Sequence, residues 1–487
     1  MTVPGRRENL RKYAFLPRRS MVRQRIATTL DTCDDAALLA LEDRVCSHGD
    51  TVHYADPPKL FDRCEGSYLY DRAGTPYLDL QMWYSAVNLG YANARVNAAL
   101  KRQIDQLPQL ACQYLHREKI ELAAALVDSA ERGFGGHGRV HFNVGGSQAV
   151  EDALKLVRRN TDRTRMLAFE GGYHGRTLAA SAITSSYRYR EAYGEFADRA
   201  EFVPFPYCFR CPYGKRRDTC ELYCVSQIER KFDHEYTGAW NPKTGRAEFG
   251  GFFVEVVQGT GGYVIPPHGY FERLATLCRD RGILLVDDEI QMGMFRTGKM
   301  WAIEHVGVAP DVVVFGKALT NGLNPLSGIW AREDLISPTA FGPGSTHSTF
   351  ASNPLGTAAG LEVMQIFAES NYAASVVEKG DYFLTLLRDL QRRHPEIGDV
   401  DGLGLALRIE ICERDGITPN RALADRMFQR GLAGDLRVGD RALGLVLDIG
   451  GYYKNVITLA PSFEITREEM DLAHDLLDLL FCECRLS

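Results

Sequence analysis

The sequence predicts an α/β fold with a mostly parallel sheet, followed by a smaller α+β unit. Five short apolar runs, each of a length suited to one buried strand, alternate with segments of helical periodicity. Buried strands that alternate with helices indicate parallel pairing, because each helix returns the chain to the same edge of the sheet. Ligands of such sheets bind at the carboxyl ends of the strands. The predicted strands are 139–143, 166–169, 252–257, 283–286 and 312–315.

The helices of this core follow from the spacing of apolar residues. In 147–160 apolar residues recur at i, i+3, i+4 and i+7, so they share one helical face. A second helix is predicted at 270–281, and Gly282 ends it. The C-terminal unit begins with a long helix near 355–394, continues with short strands, and closes with a helix from Arg467.

The N-terminal part of the chain has a different character. Residues 1–50 are polar with helical periodicity, which predicts an extension outside the core. Alternating apolar residues across 66–80 flank a turn at Gly74 and predict a β-hairpin. The insert 205–248 is polar and rich in turn residues, and it interrupts the rhythm of strands and helices.

The composition excludes several classes of protein. Of the 487 residues, 45% are hydrophobic and 25% are charged, which is ordinary for a globular protein and excludes disorder as the main state. The net charge of −6 argues against nucleic acid or an anionic membrane as the main partner. No apolar run reaches the roughly 18 residues of a transmembrane helix. The N-terminus also has no apolar signal-peptide core.

The expected location follows from the N-terminus and the cysteines. The first 25 residues are rich in arginine and contain one acid, Glu8, which suits either a solvated basic tail or an organelle transit peptide. Twelve cysteines are scattered through a chain without a secretory signal. This usage predicts free thiols in a reducing compartment, and we expect a cytoplasmic protein.

Two glycine-rich segments follow predicted strands. In the first, Gly146 and Ser147 open a helix, where backbone N–H groups and the helix dipole favour a phosphate. The same residues also suit an ordinary helix start. The second segment brings together Tyr173, His174 and Arg176. Tyr173 could stack on a planar ring, and Arg176 could hold a carboxylate through two hydrogen bonds. A polar loop without function is the alternative.

Acidic residues and a lysine follow two further strands. Asp287, Asp288 and Glu289 end an apolar strand, where a buried carboxylate needs a partner such as a protonated ring nitrogen. A metal site or a solvated strand end are the alternatives. Lys317 follows the apolar run 312–315, and apolar surroundings make an amine a better nucleophile toward carbonyls. Because one connection joins the two strands, the acid and the amine should surround one ligand.

Together, these four segments predict a pyridoxal phosphate site with a phosphate cradle, a ring stacker, an acid for the pyridine nitrogen and a Schiff-base lysine. At this point the sequence resembles the class III aminotransferases, which are pyridoxal phosphate enzymes of fold type I. The resemblance runs in family order over about 60–480, nearly the whole chain. The resembling pieces are 77–79, 145–155, 173–177, 255–259, 288–291, 295–299, 316–319 and 347–354.

The resemblance implies an architecture and domain boundaries. A large domain should carry a mostly parallel seven-stranded sheet between helices, and a smaller α+β domain should be built from both ends of the chain. The implied parts are an N-terminal helical extension at 1–50, the first part of the small domain at 51–100, the large pyridoxal phosphate domain at 101–355 with the insert 205–248, and the C-terminal small domain at 356–487.

The resemblance also implies roles for residues around the cofactor. Lys317 would form the Schiff base (the internal aldimine), and Asp288 would pair with the pyridine nitrogen. The other residues implied in cofactor binding are Ile290 under the ring, Gln291 at its phenolic oxygen, Tyr173 stacked on the opposite face, His174 beside it, Gly146 and Ser147 at the phosphate, and Thr349 from the other subunit. Tyr173 is counted with Lys317 and Asp288 as catalytic.

Substrate contacts and assembly are implied as well. Arg176, Trp83 and Glu255 are the expected substrate-binding residues, although core packing explains Trp83 equally well. The family forms a homodimer or a higher homo-oligomer with active sites at the interface. The implied activity is transfer of an amino group between an amino acid or amine and a keto acid or aldehyde.

The chain departs from the family pattern in two linked places. Where members that use 2-oxoglutarate have a carboxylate-binding arginine, this chain has Thr458. Where those members have the acid that pairs with that arginine, it has Thr260. Glutamate and 2-oxoglutarate are therefore not secure as substrates. The stretches 287–294 and 300–305 resemble a branch that contains racemases, so an amino-acid racemase or epimerase is the alternative function. A protein that holds the cofactor without catalysis is a third class, which the intact Lys317 argues against.

The insert contains four cysteines within seventeen residues. Their spacing suits a structural zinc site, in which four thiolates surround the metal tetrahedrally. Free or disulfide-linked thiols are the simpler alternative, because the resembling family needs no metal. The candidate ligands are Cys208, Cys211, Cys220 and Cys224.

Overall fold

The computed structural model describes residues 34–49, 55–196 and 199–485. The chain divides into two compact units, Met1–Leu60 and Phe61–Ser487. The described part of the first unit contains helix α1 (Asp35–Val45), in which Asp34 caps the first turn by accepting from the N–H of Ala37 at 2.7 Å. The rest of the predicted 1–50 extension lies outside the described residues, apart from 46–49.

The second unit contains the remaining helices and the strands of the described residues. The helices are α2 (Met82–Ser85), α3 (Ala94–Gln106), α4 (Arg117–Phe134), α5 (Gly146–Thr161), α6 (Leu178–Ile183), α7 (Tyr223–Arg230), α8 (Tyr270–Asp280), α9 (Glu333–Ile336), α10 (Pro354–Glu369), α11 (Tyr372–Arg393), α12 (Arg421–Leu432) and α13 (Arg467–Cys484). The strands are β1 (Phe61–Glu65), β2 (Tyr68–Asp71), β3 (Pro76–Asp79), β4 (Gly138–Asn143), β5 (Arg165–Phe169), β6 (Glu201–Val203), β7 (Trp240–Asn241), β8 (Arg246–Ala247), β9 (Phe249–Val254), β10 (Leu284–Asp288), β11 (Val312–Phe315), β12 (Ser327–Arg332), β13 (Ile397–Leu403), β14 (Ala406–Ile411), β15 (Leu436–Val438), β16 (Arg441–Val446), β17 (Asp448–Gly450) and β18 (Val456–Leu459).

A seven-stranded sheet forms the centre of this unit, with the order β4-β12-β11-β10-β9-β5-β6. Strand β12 runs antiparallel to both of its neighbours, and the other neighbouring pairs are parallel. The predicted mostly parallel seven-stranded sheet is therefore confirmed. Along β11, Val312 and Val314 pack in one hydrophobic cluster with α5, whereas Val313 and Phe315 pack in another with α8. The sheet is thus covered by helices on both faces, which explains its continuous apolar strands.

The two ends of the unit meet in a second sheet of order β1-β2-β3-β16-β15. Strands β2 and β3 form the predicted hairpin, with Gly74 at a φ of +84° in its turn. Strand β16, near the C-terminus, pairs with β3 in parallel. A third, antiparallel sheet has the order β13-β14-β18-β17. These sheets fit a small α+β domain drawn from both ends of the chain, while the predicted domain boundaries stay predictions.

Three elements differ from the sequence predictions. The long helix expected near 355–394 is two helices, because Ser370 adopts an extended conformation between α10 and α11. The strand expected at 252–257 lies three residues earlier, as β9 (Phe249–Val254), and Glu255 begins the loop. The polar insert holds α7 and the β7–β8 hairpin, and it buries Val225, Ile228 and other apolar side chains. No helix in the described ranges is long and apolar enough to cross a membrane.

Candidate active site

The candidate site lies where strands β10 and β11 end. Asp288 is the last residue of β10 and is paired in register with Val314 of β11. Lys317 follows β11 after one intervening glycine. Because the two strands are parallel neighbours, the acid and the amine lie at the same edge of the sheet, as the sequence predicts.

The N-terminus of helix α5, which is the predicted phosphate cradle, lies at this edge. The helix begins at Gly146, and a Cβ atom at that position would lie 2.8 Å from Cδ1 of Ile290. Ser147 Oγ accepts a hydrogen bond from the backbone N–H of Arg176 at 3.1 Å. Gly175 passes so close that a Cβ there would be 2.2 Å from Ser147 Oγ. The glycines therefore let two loops approach the helix N-terminus, which attracts an anion.

Asp288 is held by two groups from the protein. Its Oδ2 atom lies 2.8 Å from Nδ1 of His174, and its Oδ1 atom accepts from the backbone N–H of Ile290 at 3.2 Å. Both side chains are almost fully buried. Burial alone would lower the pKa of His174, but the hydrogen bond and charge of Asp288, with the charge of Glu255, raise it above its ordinary value. A cationic His174 places a positive charge beside the Asp288 carboxyl group, which is predicted to pair with a protonated ring nitrogen.

Lys317 has a left-handed backbone conformation and an amine with a lowered pKa. Its φ of +42° lies in the left-handed region, which is strained for a residue with a side chain and is found mostly at functional sites. Burial lowers the pKa of the Lys317 amine, and the charges of Asp288, Glu255 and Asp448 partly oppose this. Within the described residues, its side chain has no hydrogen bond or ion pair. The amine is thus available to a carbonyl ligand.

Glu255, which the sequence assigns to substrate binding, holds two loops in place. Its Oε1 accepts from the backbone N–H of Tyr173 at 2.9 Å, and its Oε2 accepts from that of Gly259 at 2.8 Å. Burial raises the pKa of Glu255 to about 7. With both oxygens engaged by the backbone, Glu255 fixes the loop that carries Tyr173, whose ring meets that of Tyr189 edge-on with centroids 5.1 Å apart.

The remaining predicted site residues are spread around this centre. Gln291 follows Ile290 and donates to the hydroxyl of Tyr263 at 3.0 Å. The guanidinium of Arg176 lies over the ring of Tyr189, 4.6 Å from its centroid. Trp83 is 54% exposed and lies against Gly322, five residues after Lys317. Thr349 is exposed, and no contact joins it to Ser147 in the described parts of this single chain.

Asp448 is a further acid near Lys317 that is not among the residues predicted for the site. Its Oδ2 accepts from Thr458 Oγ1 at 2.8 Å, and Gln81 donates to its Oδ1 at 3.4 Å. Burial raises the pKa of Asp448, while Thr458, Gln81 and the charges of Lys454 and Lys317 act against this. Asp448 follows the apolar strand β16, which is the same sequence signal that identified Asp288.

Asp287 and Glu289 do not face the site. Both are buried, and their carboxyl groups share a side-chain hydrogen bond, in which a protonated carboxyl group donates to its neighbour. Glu289 Oε1 accepts from the backbone N–H of Ile303 at 2.8 Å. Burial and the neighbouring acid raise the pKa of Asp287 far above its ordinary value, and burial raises that of Glu289 to about 7. The three consecutive acids thus divide into one site residue and a buried pair.

The four cysteines of the insert line one small cavity of about 20 Å³. All four are free thiols, and burial raises the pKa of Cys208 and brings that of Cys224 to about 11. In the part of the chain that the structure describes, no group of three or more His, Cys, Asp or Glu side chains is arranged to hold a metal ion. The zinc hypothesis thus gains no support from this arrangement and stays a prediction, which the zinc content of the purified protein tests.

Comparisons with known proteins agree with this geometry. The model of the family described as aminotransferase class-III matches residues 51–480. The chain is 31% identical over 445 residues to the alanine/serine racemase of Pyrococcus horikoshii, covering 91% of this chain and 89% of the relative. It is 30% identical over 432 residues to the 4-aminobutyrate aminotransferase of Escherichia coli, covering 88% and 94%. The structure of an amine transaminase with bound pyridoxal phosphate, from an uncultivated Pseudomonas species, superposes with a TM-score of 0.78 at 27% identity, covering 90% and 96%.

Proposed function

Because the chain belongs to the class-III aminotransferase family of pyridoxal phosphate enzymes, we propose that it is an aminotransferase, which moves an amino group between an amino acid or amine and a keto acid or aldehyde. The observation that carries the proposal is the meeting of Lys317 and Asp288 at the ends of two neighbouring parallel strands. Among the described residues the lysine amine has no hydrogen bond or ion pair, whereas the acid is held by His174.

The residues of the site fit the cofactor of the family. The N-terminus of α5 with Ser147 would hold the phosphate, and Ile290 and Tyr173 would enclose the ring. Asp288 would bind the ring nitrogen. When bound, pyridoxal phosphate supplies an aldehyde that condenses with amines and a ring that withdraws charge from the adjacent carbon.

The protein's own groups would then move and hold protons. The lowered pKa of Lys317 gives it a larger fraction of neutral amine at neutral pH, and that form can take a proton from the substrate carbon and return one. Asp288 would hold a proton on the ring nitrogen, and His174 would hold the Asp288 side chain in position through their 2.8 Å contact. Glu255 would act only by fixing the two loops around the ring.

A racemase or epimerase is the second candidate, and two specific observations favour it. The 31% identity to an alanine/serine racemase is no lower than the identity to the aminotransferase. Thr260 and Thr458 stand at the two positions where family members that use 2-oxoglutarate carry an acid and an arginine. A racemase has no second substrate to bind and does not need that pair.

One experiment separates the two candidates. The protein loaded with pyridoxal phosphate is incubated with L- and D-amino acids and ω-amines in the absence of any keto acid. An aminotransferase gives one equivalent of keto acid or aldehyde per site and a lasting change in the cofactor spectrum. A racemase gives many turnovers to the opposite enantiomer with the spectrum restored. If no amine produces either change, both candidates are contradicted.

We also propose a homodimer with the active sites at its interface. Several large apolar side chains are exposed in the single chain, and a partner would bury them. Trp83, Tyr114, Leu115 and Phe350 are between 54% and 72% exposed. Phe350 is adjacent to Thr349, the residue expected to reach the partner's phosphate. Light scattering of the purified protein tests the proposal, and a monomer at micromolar concentration would contradict it.

A further inference from the structure

A cavity of about 550 Å³ lies beside the candidate active site. Its wall includes Gly171 and Gly172, which precede Tyr173, and Thr260 and Gly261, which follow Gly259. Both loops are the ones that Glu255 ties together. The cavity therefore opens next to the loops that should enclose the cofactor ring.

Three cations from separate segments line this cavity. Arg188 comes from the loop after α6, Arg421 begins α12, and Lys454 lies in the turn between β17 and β18. They are close enough for their charges to interact: burial lowers the pKa of Lys454, the charges of Arg188 and Arg421 add to this, and Asp448 opposes it.

Two of the three cations have no direct acidic partner in the described parts of the chain. Glu170 is the acid in the cavity wall, and burial raises its pKa. Arg421 pairs with Asp425 at 3.2 Å on the exposed side of α12. Among the described residues, the side chains of Arg188 and Lys454 have no hydrogen bond or ion pair. Asp448 acts on Lys454 only through its charge, so Arg188 and Lys454 keep donors that can bind an anion.

The cavity is also electrostatically connected to the reacting lysine. Asp448 interacts with the charges of both Lys454 and Lys317, so it is within the range of charge interactions from both the cavity and the site. Thr458, which stands where the family's carboxylate-binding arginine is expected, is engaged by Asp448. The cavity cations come from other positions in the chain and can take over the charge that Thr458 lacks.

We propose that Arg188, Arg421 and Lys454 form an anion subsite for a carboxylate of the substrate that is remote from the reacting amine. The preferred substrates are then acidic α-amino acids or ω-amino acids rather than neutral amino acids or simple amines. Tyr187, Tyr189 and Tyr452 supply the aromatic wall along which the chain between amine and carboxylate would lie. This inference rests on the proposed function, because it assumes that an amine substrate reacts at Lys317.

The first test compares substrates that differ only in the remote charge. The loaded protein is mixed with L-aspartate or L-asparagine, L-glutamate or L-glutamine, and 5-aminovalerate or pentylamine. We expect the acidic member of at least one pair to react about 10- to 100-fold faster at low concentration, as one or two charge-assisted hydrogen bonds would give. Equal rates within every pair would overturn the subsite.

The second test removes the charges. Arg188→Gln and Lys454→Met should each reduce the preference for the acidic partner about 10-fold, and they should leave the rate with the neutral partner within about 2-fold. The matched controls are Arg437→Gln and Lys243→Met, two exposed cations on β15 and in the β7–β8 turn. Loss of the preference in the controls, or its retention in both cavity variants, would contradict the proposal.

A binding measurement separates failure of the subsite from failure of the proposed function. Glutarate has no amine and cannot react, so calorimetry reports its binding to the loaded protein whatever the reaction is. We expect glutarate to bind the parent protein and both controls, and to bind Lys454→Met at least about 10-fold more weakly. If glutarate binding depends on Lys454 in this way but no amine reacts, the proposed function is overturned and the anion site is supported. Reaction of amines without charge-dependent glutarate binding would overturn the subsite alone.

Discussion

The candidate active site around Asp288 and Lys317, here called the strand-end site, lies beside the cavity lined by Arg188, Arg421 and Lys454, here called the cation cavity. The charges in the two places are arranged in opposite ways. At the strand ends, Asp288 is matched by His174, and both are buried at a distance of 2.8 Å. In the cavity, Arg188 and Lys454 have no partner among the described residues. A buried acid that is already paired with a cation is held in place before any ligand binds. Cations without an acidic partner at a cavity wall can be neutralised by a ligand that binds there. The first arrangement suits a permanent cofactor, and the second suits a substrate that enters and leaves.

The largest effect should come from the amine of the strand-end site. We expect Lys317→Ala to reduce turnover by about 1,000-fold or more, because both the covalent link to the cofactor and the proton carrier are lost. Turnover with the best amine is the measurement, and Lys243→Ala is the control for a lost surface amine. Turnover within 10-fold of the parent would show that another group moves the proton.

Asp288→Asn should have the next largest effect, about 100- to 1,000-fold on turnover, because the amide cannot keep a proton on the ring nitrogen. The neighbouring acid offers a close control. Asp287→Asn changes the same atoms one residue away, on the side of β10 that faces Glu289. We expect it to keep turnover within about 3-fold of the parent. Equal losses in the two variants would mean that the strand end, and not the charge of Asp288, matters.

His174→Phe should sharpen the comparison further, since it removes the group that matches Asp288 and keeps a ring of similar size. We expect about 10-fold weaker binding of pyridoxal phosphate, the value of one hydrogen bond to a charged group. Fluorescence titration of the protein freed of cofactor measures it. If His174 only fills space, the affinity and the pH dependence of the cofactor spectrum will both stay as in the parent.

The smallest effect concerns stability and the buried pair Asp287 and Glu289. The pKa of Glu289 is raised to about 7 in the folded protein. A raised carboxyl pKa means that the folded state holds a proton that the unfolded state has already lost. Stability from this pair is therefore complete below about pH 4.5 and is lost as the pH rises through about 7. We expect the free energy of unfolding to fall by about 1 to 3 kcal/mol between pH 5 and 8.

Glu289→Gln should flatten that decline, because the amide stays neutral at every pH in the range. Denaturant unfolding at pH 5, 6, 7 and 8, with saturating pyridoxal phosphate, gives the comparison. The control is Glu304→Gln, because burial also raises the pKa of Glu304 but by a smaller amount. A decline of the same slope in Glu289→Gln would assign the pH dependence to other groups.

The strand-end site could be predicted from the sequence because local signals define it. An acid after one apolar strand and a lysine after the next are brought together by the parallel arrangement itself. The cavity could not be predicted this way, because Arg188, Arg421 and Lys454 lie in three separate segments of the chain, and each looks like an ordinary surface cation. Asp448 gave the same local signal as Asp288, but no resemblance directed attention to it.

Two features of the fold show the same limit. The division between α10 and α11 at Ser370 was missed because apolar spacing continues on both sides of the break. The substrate role of Glu255 stays a prediction, and its hydrogen bonds to the backbone of Tyr173 and Gly259 could not be predicted because they depend on two loops that approach only in the folded chain. Periodicity identifies which face of an element is buried, but it does not show which loops an isolated side chain will bind.

The parallel pairing of β3 with β16 has a consequence for synthesis of the protein. The two strands are separated by about 360 residues, so the N-terminal hairpin leaves the ribosome long before its neighbour exists. At roughly 5 to 20 residues per second the wait is about 20 to 70 s. During that time β3 presents an unpaired edge, which can pair with another nascent chain. A chain that stops before β16 therefore lacks more than its last strands, because it also leaves the first ones without a place in the sheet.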